Sequence, residues 1–332
     1  MPPVTIRTKR LSVTADLPEA VAARLRKARR ALRRDPPGKA GGPSEAAGAP
    51  SGAVGSPGHL TVADTVAELH LERHDPRASV EVFRERMTPS PAHSGSELAR
   101  RVSQISWYHT IELPEGVVTE GIYDHRALVA HYGIPESLDG LRVLDVASWD
   151  GFWAFELERR GGQVVSVDIP RLSQFDFPPA LREAVLAEGL DRPSTEGFEL
   201  ARQALGSKVE RVEGSVYDLD PSWLGGTFDF VHAGDLLLHL ETPSAALRAI
   251  RRVTAGTALI ADCFDPSLHG YRLTRYYGGW PGAVLWWLPS LDVLAQMVLD
   301  AGFADVRVHT VYALAPRSER EALWRAALVA TV

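Results

Sequence analysis

Residues 141–168 read LRVLDVASWDGFWAFELERRGGQVVSVD, and this stretch decides the fold. A Val-rich run ends in an acid, passes through a turn of small residues and enters a helical pattern that stops at Gly161-Gly162. A second apolar run then ends in another acid. The order is that of one βαβ unit. Residues 142–146 are continuous enough in apolar character to be buried on both faces, as a central parallel strand is. Ala147, Ser148 and Gly151 keep the turn small, so a ligand can approach its backbone. The helix over 152–160 ends at the glycine pair, a C-terminal stop signal. The strand over 163–167 then delivers Asp168 to the edge where the first strand delivers Asp145. Parallel strands align their carboxyl ends, so both acids are expected at one crevice.

The first acid discriminates between ligands. A pyrophosphate site offers a helix N-terminus and bare glycines in a G-x-G-x-x-G turn. Here the turn holds Asp145, Asp150 and a single glycine, Gly151, so a pyrophosphate would meet negative charge. A ligand with a cationic centre and a ribose diol fits better. Asp145 is expected near the ammonium or sulfonium, and Asp168 on the ribose hydroxyls. S-adenosylmethionine (SAM) has both features. The bland reading is a ligand-free βαβ unit with a solvated acid at each strand end.

At 332 residues the chain is long for one domain and short for two. Hydrophobic content of 45% with 23% charged residues is that of an ordinary globule. A net charge of −6 argues against a dedicated nucleic-acid binder. One cysteine, Cys263, excludes an intrachain disulfide framework and reads as a buried structural thiol. No signal-peptide run or long apolar segment is visible, which leads to the expectation of a soluble, cytoplasmic protein without a membrane partner.

The N-terminal third divides by composition. Residues 1–34 read as a short strand and a basic helix, with Val21, Leu25, Ala28 and Leu32 on one stripe. Its arginines are either an RNA-binding surface or the solvated face of a docking helix. In residues 35–59, 12 of 25 are Pro or Gly, the composition of a disordered linker. Residues 60–126 form a helical and lid-like region with helices over about 61–106, one of them at 78–87. The segment 107–126, WYHTIELPEGVVTEGIYDHR, is strand-like and leads into a short helix at 127–132.

From there the pattern alternates. Helices are expected near 179–188 and 195–205, then strands 209–213 and 228–233, helix 243–253 and strand 258–262. After an aromatic insertion come helix 291–301 and strands 306–312 and 325–332. Alternating units that end in a strand pair imply an α/β, Rossmann-like sheet of seven strands.

These motifs resemble the class I SAM-dependent methyltransferases, and within them the tRNA wobble-uridine (mo5U34) methyltransferase-like family. The likeness runs from about residue 107 to the C-terminus. It rests on WYHTIELPEGVVTEG with YDHR, on VLDVASWDGFWAFELERRG, on VVSVD, on FDFVHAGDLLLHLETP and on WWLPSLDVLAQMVLDAGF. It implies a methyltransferase domain over 127–332 with an acceptor-pocket insertion at 264–290. By position it implies cofactor contacts from Asp145, Ala147, Trp149, Gly151 and Asp168. Adenine is expected against Ser215, Val216 and Tyr217, and the methionine side against Ala233 and Gly234. The carboxy-SAM enzymes of this likeness carry a tyrosine before the second motif's histidine and a lysine ahead of the core. Here Leu238 precedes His239, and 107–126 contains no lysine. An extra carboxylate would therefore lack two partners, which favours plain SAM.

Methyl transfer from a sulfonium is an in-line displacement that needs alignment, desolvation and, for an O–H or N–H acceptor, a base. His239 follows the fourth strand and is the first candidate, or else a histidine packed under the next helix. His109, Tyr123 and Asp235 are further catalytic candidates, with Tyr108 and His125 beside the acceptor. Residues 264–287 hold seven of the chain's 26 aromatics. Tyr276, Trp280, Trp286 and Trp287 are expected to line the acceptor pocket, with Arg275 on an acidic group, although such rings also serve simply to pack a cap. No His/Cys cluster has metal-ligand spacing. The function expected is methylation of a small-molecule acceptor, as in natural product biosynthesis. The alternatives are a tRNA wobble-uridine methyltransferase and a SAM-fold protein that transfers no methyl.

Overall fold

The computed structural model describes Val80 and residues 95–279, 285–317 and 323–332. The expectations for 1–34, 35–59 and most of 60–94 fall outside the described residues, as does Trp280. Among the described residues nine strands are formed: β1 Arg142–Val146, β2 Gln163–Asp168, β3 Glu210–Glu213, β4 Phe228–Gly234, β5 Thr254–Cys263, β6 Thr274–Tyr276, β7 Trp287–Pro289, β8 Asp305–Leu314 and β9 Leu323–Thr331. The helices are α1 Glu97–Val102, α2 Phe152–Arg159, α3 Pro179–Ala187, α4 Glu196–Leu205, α5 Pro243–Val253 and α6 Leu291–Asp300.

Seven strands form one sheet in the order β3-β2-β1-β4-β5-β9-β8. The β3-β2-β1-β4-β5 ladders are parallel, while β9 runs antiparallel to both β5 and β8. This is the seven-stranded Rossmann-like methyltransferase sheet. Strand order reverses beside β1, so the crevice that takes a ligand lies over the carboxyl ends of β1, β2 and β4.

Alternation along the strands builds two cores. Leu144, Val146, Val231 and Ile260 pack under α5 and α6 on one face. Val143, Phe230, Leu259 and Ala261 pack under α2 and α4 on the other. Asp145 and His232 share the parity of Val143 and Phe230, so they fall on the α2 face. At the mouth of α2, Gly151 adopts φ +89°, and a Cβ there would stand 2.5 Å from the Phe155 ring.

The core elements match expectation to within a residue or two, except that β5 begins at Thr254. Helix α5 passes into β5 without a loop, because Thr254 is already extended and pairs with Phe228. The segment 107–126 departs further. It folds back on itself through two isolated bridges, His109↔Tyr123 and Glu112↔Val118, and a 3-10 turn at Pro114–Gly116. Its amides pair within the segment, as Thr110 N–H to Tyr123 O and Tyr123 N–H to Tyr108 O, both 2.8 Å, so it forms a looped flap and no sheet strand. The short helix expected next is a 3-10 turn, Arg126–His131.

Candidate active site

One cleft opens over the carboxyl ends of the strands. Its floor is set by three residues in the left-handed region: Ala147 (φ 61°), Trp149 (φ 48°) and Asp235 (φ 48°), all on the cleft wall. Non-glycine residues avoid this region, and strained backbone of this kind clusters where a site must hold a fixed shape. What holds the first turn is Asp168 at the end of β2. Its Oδ2 accepts the Trp149 N–H and its Oδ1 the Ile169 N–H, both at 2.7 Å. Each oxygen keeps a second lone pair. Asp168 is 8% exposed on the wall. Burial raises its carboxyl above the usual range, with Arg211 and the two amides offsetting part of that.

Val146, Ala147, Trp149 and Ile169 continue this wall, and Ser215, Val216 and Tyr217 face them. Ser215 caps the 3-10 turn Val216–Asp218 through its Oγ. The Tyr217 hydroxyl donates to Asp176 Oδ2 at 2.5 Å, which ties this wall to the chain after β2. Phe175 stands edge-on to Trp149 at 5.8 Å and to His239 at 6.4 Å, joining the two halves of the cleft.

The other half is roofed by the flap. Asp150, buried in the turn after β1, accepts the N–H of Tyr108 and of His109, each at 2.8 Å, and also pairs with His109 Nδ1. Tyr108, His109 and His125 line the cleft, with Gly234, Asp235 and His239 from the β4 end. The His109 and His125 rings lie 5.1 Å apart. Burial, and then the neighbouring His109, push His125 well below the usual imidazole range, so it is neutral at pH 7. Its Nδ1 has no hydrogen-bond partner in the protein.

Asp235 is held by Arg325, whose Nε reaches Asp235 Oδ1 at 2.6 Å and Oδ2 at 2.9 Å. Burial pushes the Asp235 carboxyl up, but the guanidinium outweighs it and leaves the group below its ordinary value. Behind them, Asp262 accepts the N–H of Leu236, Leu237, Leu238 and Cys263, fixing the turn that carries His239. Burial, and then the neighbouring Asp235, push Asp262 up to about 7 against the amides of Leu237, Cys263 and Leu236.

Several expected site residues stand elsewhere. Asp145 does not reach the wall: its Oδ1 accepts His232 Nδ1–H at 2.6 Å beneath it, so it has no access to a ligand's cationic end. Gly151 and Ala233 lie behind the lining, Gly151 as the start of α2 and Ala233 in the core. Tyr123 sits below Arg325, its ring 5.0 Å from the guanidinium carbon.

The aromatic insertion is a correction of greater extent. It forms the β6–β7 hairpin outside the cleft. Trp286 is buried against Val80, Phe177, Leu181 and Val185 and donates Nε1–H to Asp176 O at 2.6 Å. Trp287 donates to Glu241 O at 3.0 Å and lines a separate apolar hollow under α5 and α6. Tyr276 is 61% exposed and Arg275 pairs with Asp265 at 2.7 Å. Trp286 and Trp287 pack the hairpin onto the domain, and neither they nor Tyr276 line the cleft. The rings that do include Tyr132, Trp153, Phe175 and Tyr312, which the sequence reading did not single out. Among the described residues no group of three or more His, Cys, Asp or Glu side chains is placed to hold a metal ion, and no helix is long and apolar enough to cross a membrane.

The fold and cleft define a class I, SAM-dependent methyltransferase. Residues 120–308 match the family described as "Methyltransferase domain", more than half of the chain, and the protein belongs to that family. No curated protein matches it. Among solved structures it is similar to the N-terminal domain of EvdMO1, crystallised in the presence of SAH and D-fucose, at 21% identity and TM-score 0.45, over 68% of this chain and 91% of that one. It is also similar to magnesium protoporphyrin IX methyltransferase (ChlM) from Synechocystis PCC 6803 with bound SAM, at 17% identity and TM-score 0.39, over 62% and 76%. A third is the 1,6-didemethyltoxoflavin-N1-methyltransferase of Burkholderia thailandensis, at 18% identity and TM-score 0.37, over 58% and 71%.

The cleft suits SAM by its donor set. Asp168 would offer its two remaining lone pairs to a ribose diol, and apolar Ile169, Val216 and Trp149 would offer faces to a purine. When bound, the cofactor would supply a methyl group on a sulfonium, and these residues would hold it in the cleft.

Proposed function

We propose that this protein methylates a small, largely aromatic or apolar acceptor bearing an O–H or N–H group, of the kind found in specialised natural products. The observation that carries this reading is the roofing of the cleft's second half by the flap. Tyr132, His125 and Trp153 on its wall are each at most 5% exposed, and the Asp150 clasp holds the flap in place. A roofed space lined by rings with a few convergent polar groups suits a small ring system better than a polymer chain. Tyr108, His109, Asp235 and His239 would then orient the acceptor's polar groups, and exclusion of water would strengthen every one of those contacts.

Incubation with tritiated SAM and a panel of small phenols and hydroxy-heterocycles, with no RNA present, tests this reading. Transfer to a panel member is expected, and it should survive removal of residues 1–60. Transfer to bulk tRNA alone, lost with the basic helix and weakened steeply by salt, would instead establish the wobble-uridine reading.

A further inference from the structure

Two Asp–His pairs stand beside the cleft, one on its wall and one beneath it, and their carboxylates are satisfied to different degrees. Asp150 accepts three N–H groups, two from the flap backbone and one from the His109 ring. Asp145 accepts one. Its Oδ1 takes the His232 Nδ1–H, while its Oδ2 has no hydrogen-bond partner although the residue is 1% exposed. Parallel register sets Asp145 opposite His232, so the pair is built into the β1–β4 ladder. On the far side, His232 Nε2 accepts the Tyr132 hydroxyl at 3.1 Å. Tyr132 is stacked on Trp153 with ring centroids 3.9 Å apart, and it lines the cleft. Gly234 leaves the room this needs: a Cβ there would stand 2.9 Å from the Tyr132 hydroxyl and 3.1 Å from His232 Nε2.

A buried carboxylate with half its acceptor capacity unused is costly beside a neutral ring. Protonation of His232 converts the contact into a charge-assisted pair and offsets that cost. Asp150, with three donors, has no such deficit.

Resting on the proposed small O–H or N–H acceptor, we propose that Tyr132, His232 and Asp145 are the proton relay of the transfer. Tyr132 is the catalytic residue, and His232 and Asp145 are positioning residues that act through it. As the acceptor heteroatom bonds to the methyl carbon, the methyl–sulfur bond breaks and its electron pair stays on sulfur. The acceptor's proton goes to Tyr132 Oη, and the Tyr132 proton goes to His232 Nε2. The positive charge that leaves sulfur is thereby restored on His232, against Asp145.

The charged and titratable groups around this path are Asp145 on β1, Tyr312 on β8 and Asp235 at the end of β4, the last neutralised by Arg325 on β9. Burial, followed by Tyr312, keeps the Tyr132 phenol protonated far above its usual range. It therefore conducts a proton and does not store charge.

Nitrogen-15 NMR of histidine-labelled protein, with SAM or S-adenosylhomocysteine (SAH) bound, reads the state of His232 directly. With SAM, the ring is expected to carry its proton on Nδ1 alone. With SAH, which has one positive charge fewer, a doubly protonated ring should appear, and Asp145→Asn should abolish it. Tyr132→Phe keeps the stack on Trp153, so it should leave SAM affinity unchanged while lowering turnover of the acceptor found in the RNA-free screen at least tenfold. A His232 doubly protonated in both complexes is a static ion pair and overturns the relay. So does a ring neutral in both from pH 5 to 8, or full turnover in the Tyr132→Phe protein. The NMR arms need no acceptor, so a screen that turns up tRNA defeats the small-acceptor reading without touching them.

Discussion

Asp150 grips His109 twice, through the backbone N–H at 2.8 Å and through the ring Nδ1, across 41 residues of sequence. The carboxylate on the turn after β1 thus fixes the flap over the same cleft whose floor that turn forms. That turn and the roof are one hydrogen-bonded unit.

Asp150→Ala should leave three N–H groups without a partner, those of the His109 backbone and ring buried and that of Tyr108 part-buried. A cost of about 1 kcal/mol or more for each gives a loss of roughly 3 kcal/mol, read by urea denaturation. Asp150→Asn retains an acceptor oxygen and should recover part of the loss. A fully stable alanine variant would mean that the flap is held by its own contacts.

Asp168→Ala should weaken SAH binding at least tenfold in calorimetry, since charge-assisted bonds to a diol are worth about 1.5–3 kcal/mol each. The same substitution frees the Trp149 amide, so part of the loss should appear as a slower association. Unchanged affinity would remove Asp168 from the cofactor site.

The fold should lose stability in acid through His125. Its folded pKa is depressed, by burial first and then by His109, so the unfolded chain binds the proton more tightly. Stability from this group is complete above the unfolded value near 6.5 and is lost as pH falls below it. Asp262, pushed up to about 7, acts in the opposite sense, disfavouring the fold as pH rises from about 4. Comparison with His125→Phe isolates the histidine. From pH 7.5 to 5.5 the wild type should lose about 1.4 kcal/mol more than the variant. Parallel denaturation curves would show that His125 is solvated.

Trp286→Ala should cost about 3–5 kcal/mol in stability, as large-to-small changes in a core do. The residue is buried beside Phe177 and Leu181, outside the cleft wall. Its effect on SAH affinity should be small once the variant is measured below its melting temperature. A stable variant with a large binding defect would return Trp286 to the acceptor site.

The βαβ unit was legible because its signals are local. Apolar runs, a small-residue turn and a Gly-Gly stop are neighbours in sequence, and Asp168 inherits its place from the strand that ends at it. The roles of Asp145 and Asp150 were not legible. The two acids are five residues apart, Asp145 on β1 and Asp150 in the turn after it, and only long-range pairing separates their roles, Asp145 toward His232 on β4 and Asp150 toward the flap. The insertion misled for a related reason: a density of rings reports buried area but not the side it is buried on. One signal was available and passed over. Arg325 interrupts the apolar strand LWRAALVAT, and a charge in such a run calls for a buried partner, which is Asp235.

That pair also bears on how the protein is made. Asp235 ends β4, and its guanidinium partner arrives 90 residues later on the strand inserted between β5 and β8. While the chain emerges from the ribosome, β1 to β5 can form their parallel ladders, yet the left-handed Asp235 carries an uncompensated charge and β5 an open edge. Only when β9 slides into place are edge and charge closed together. A nascent chain stalled before Leu323 should therefore bind nucleoside weakly and be prone to aggregate, with competence appearing in a single late step.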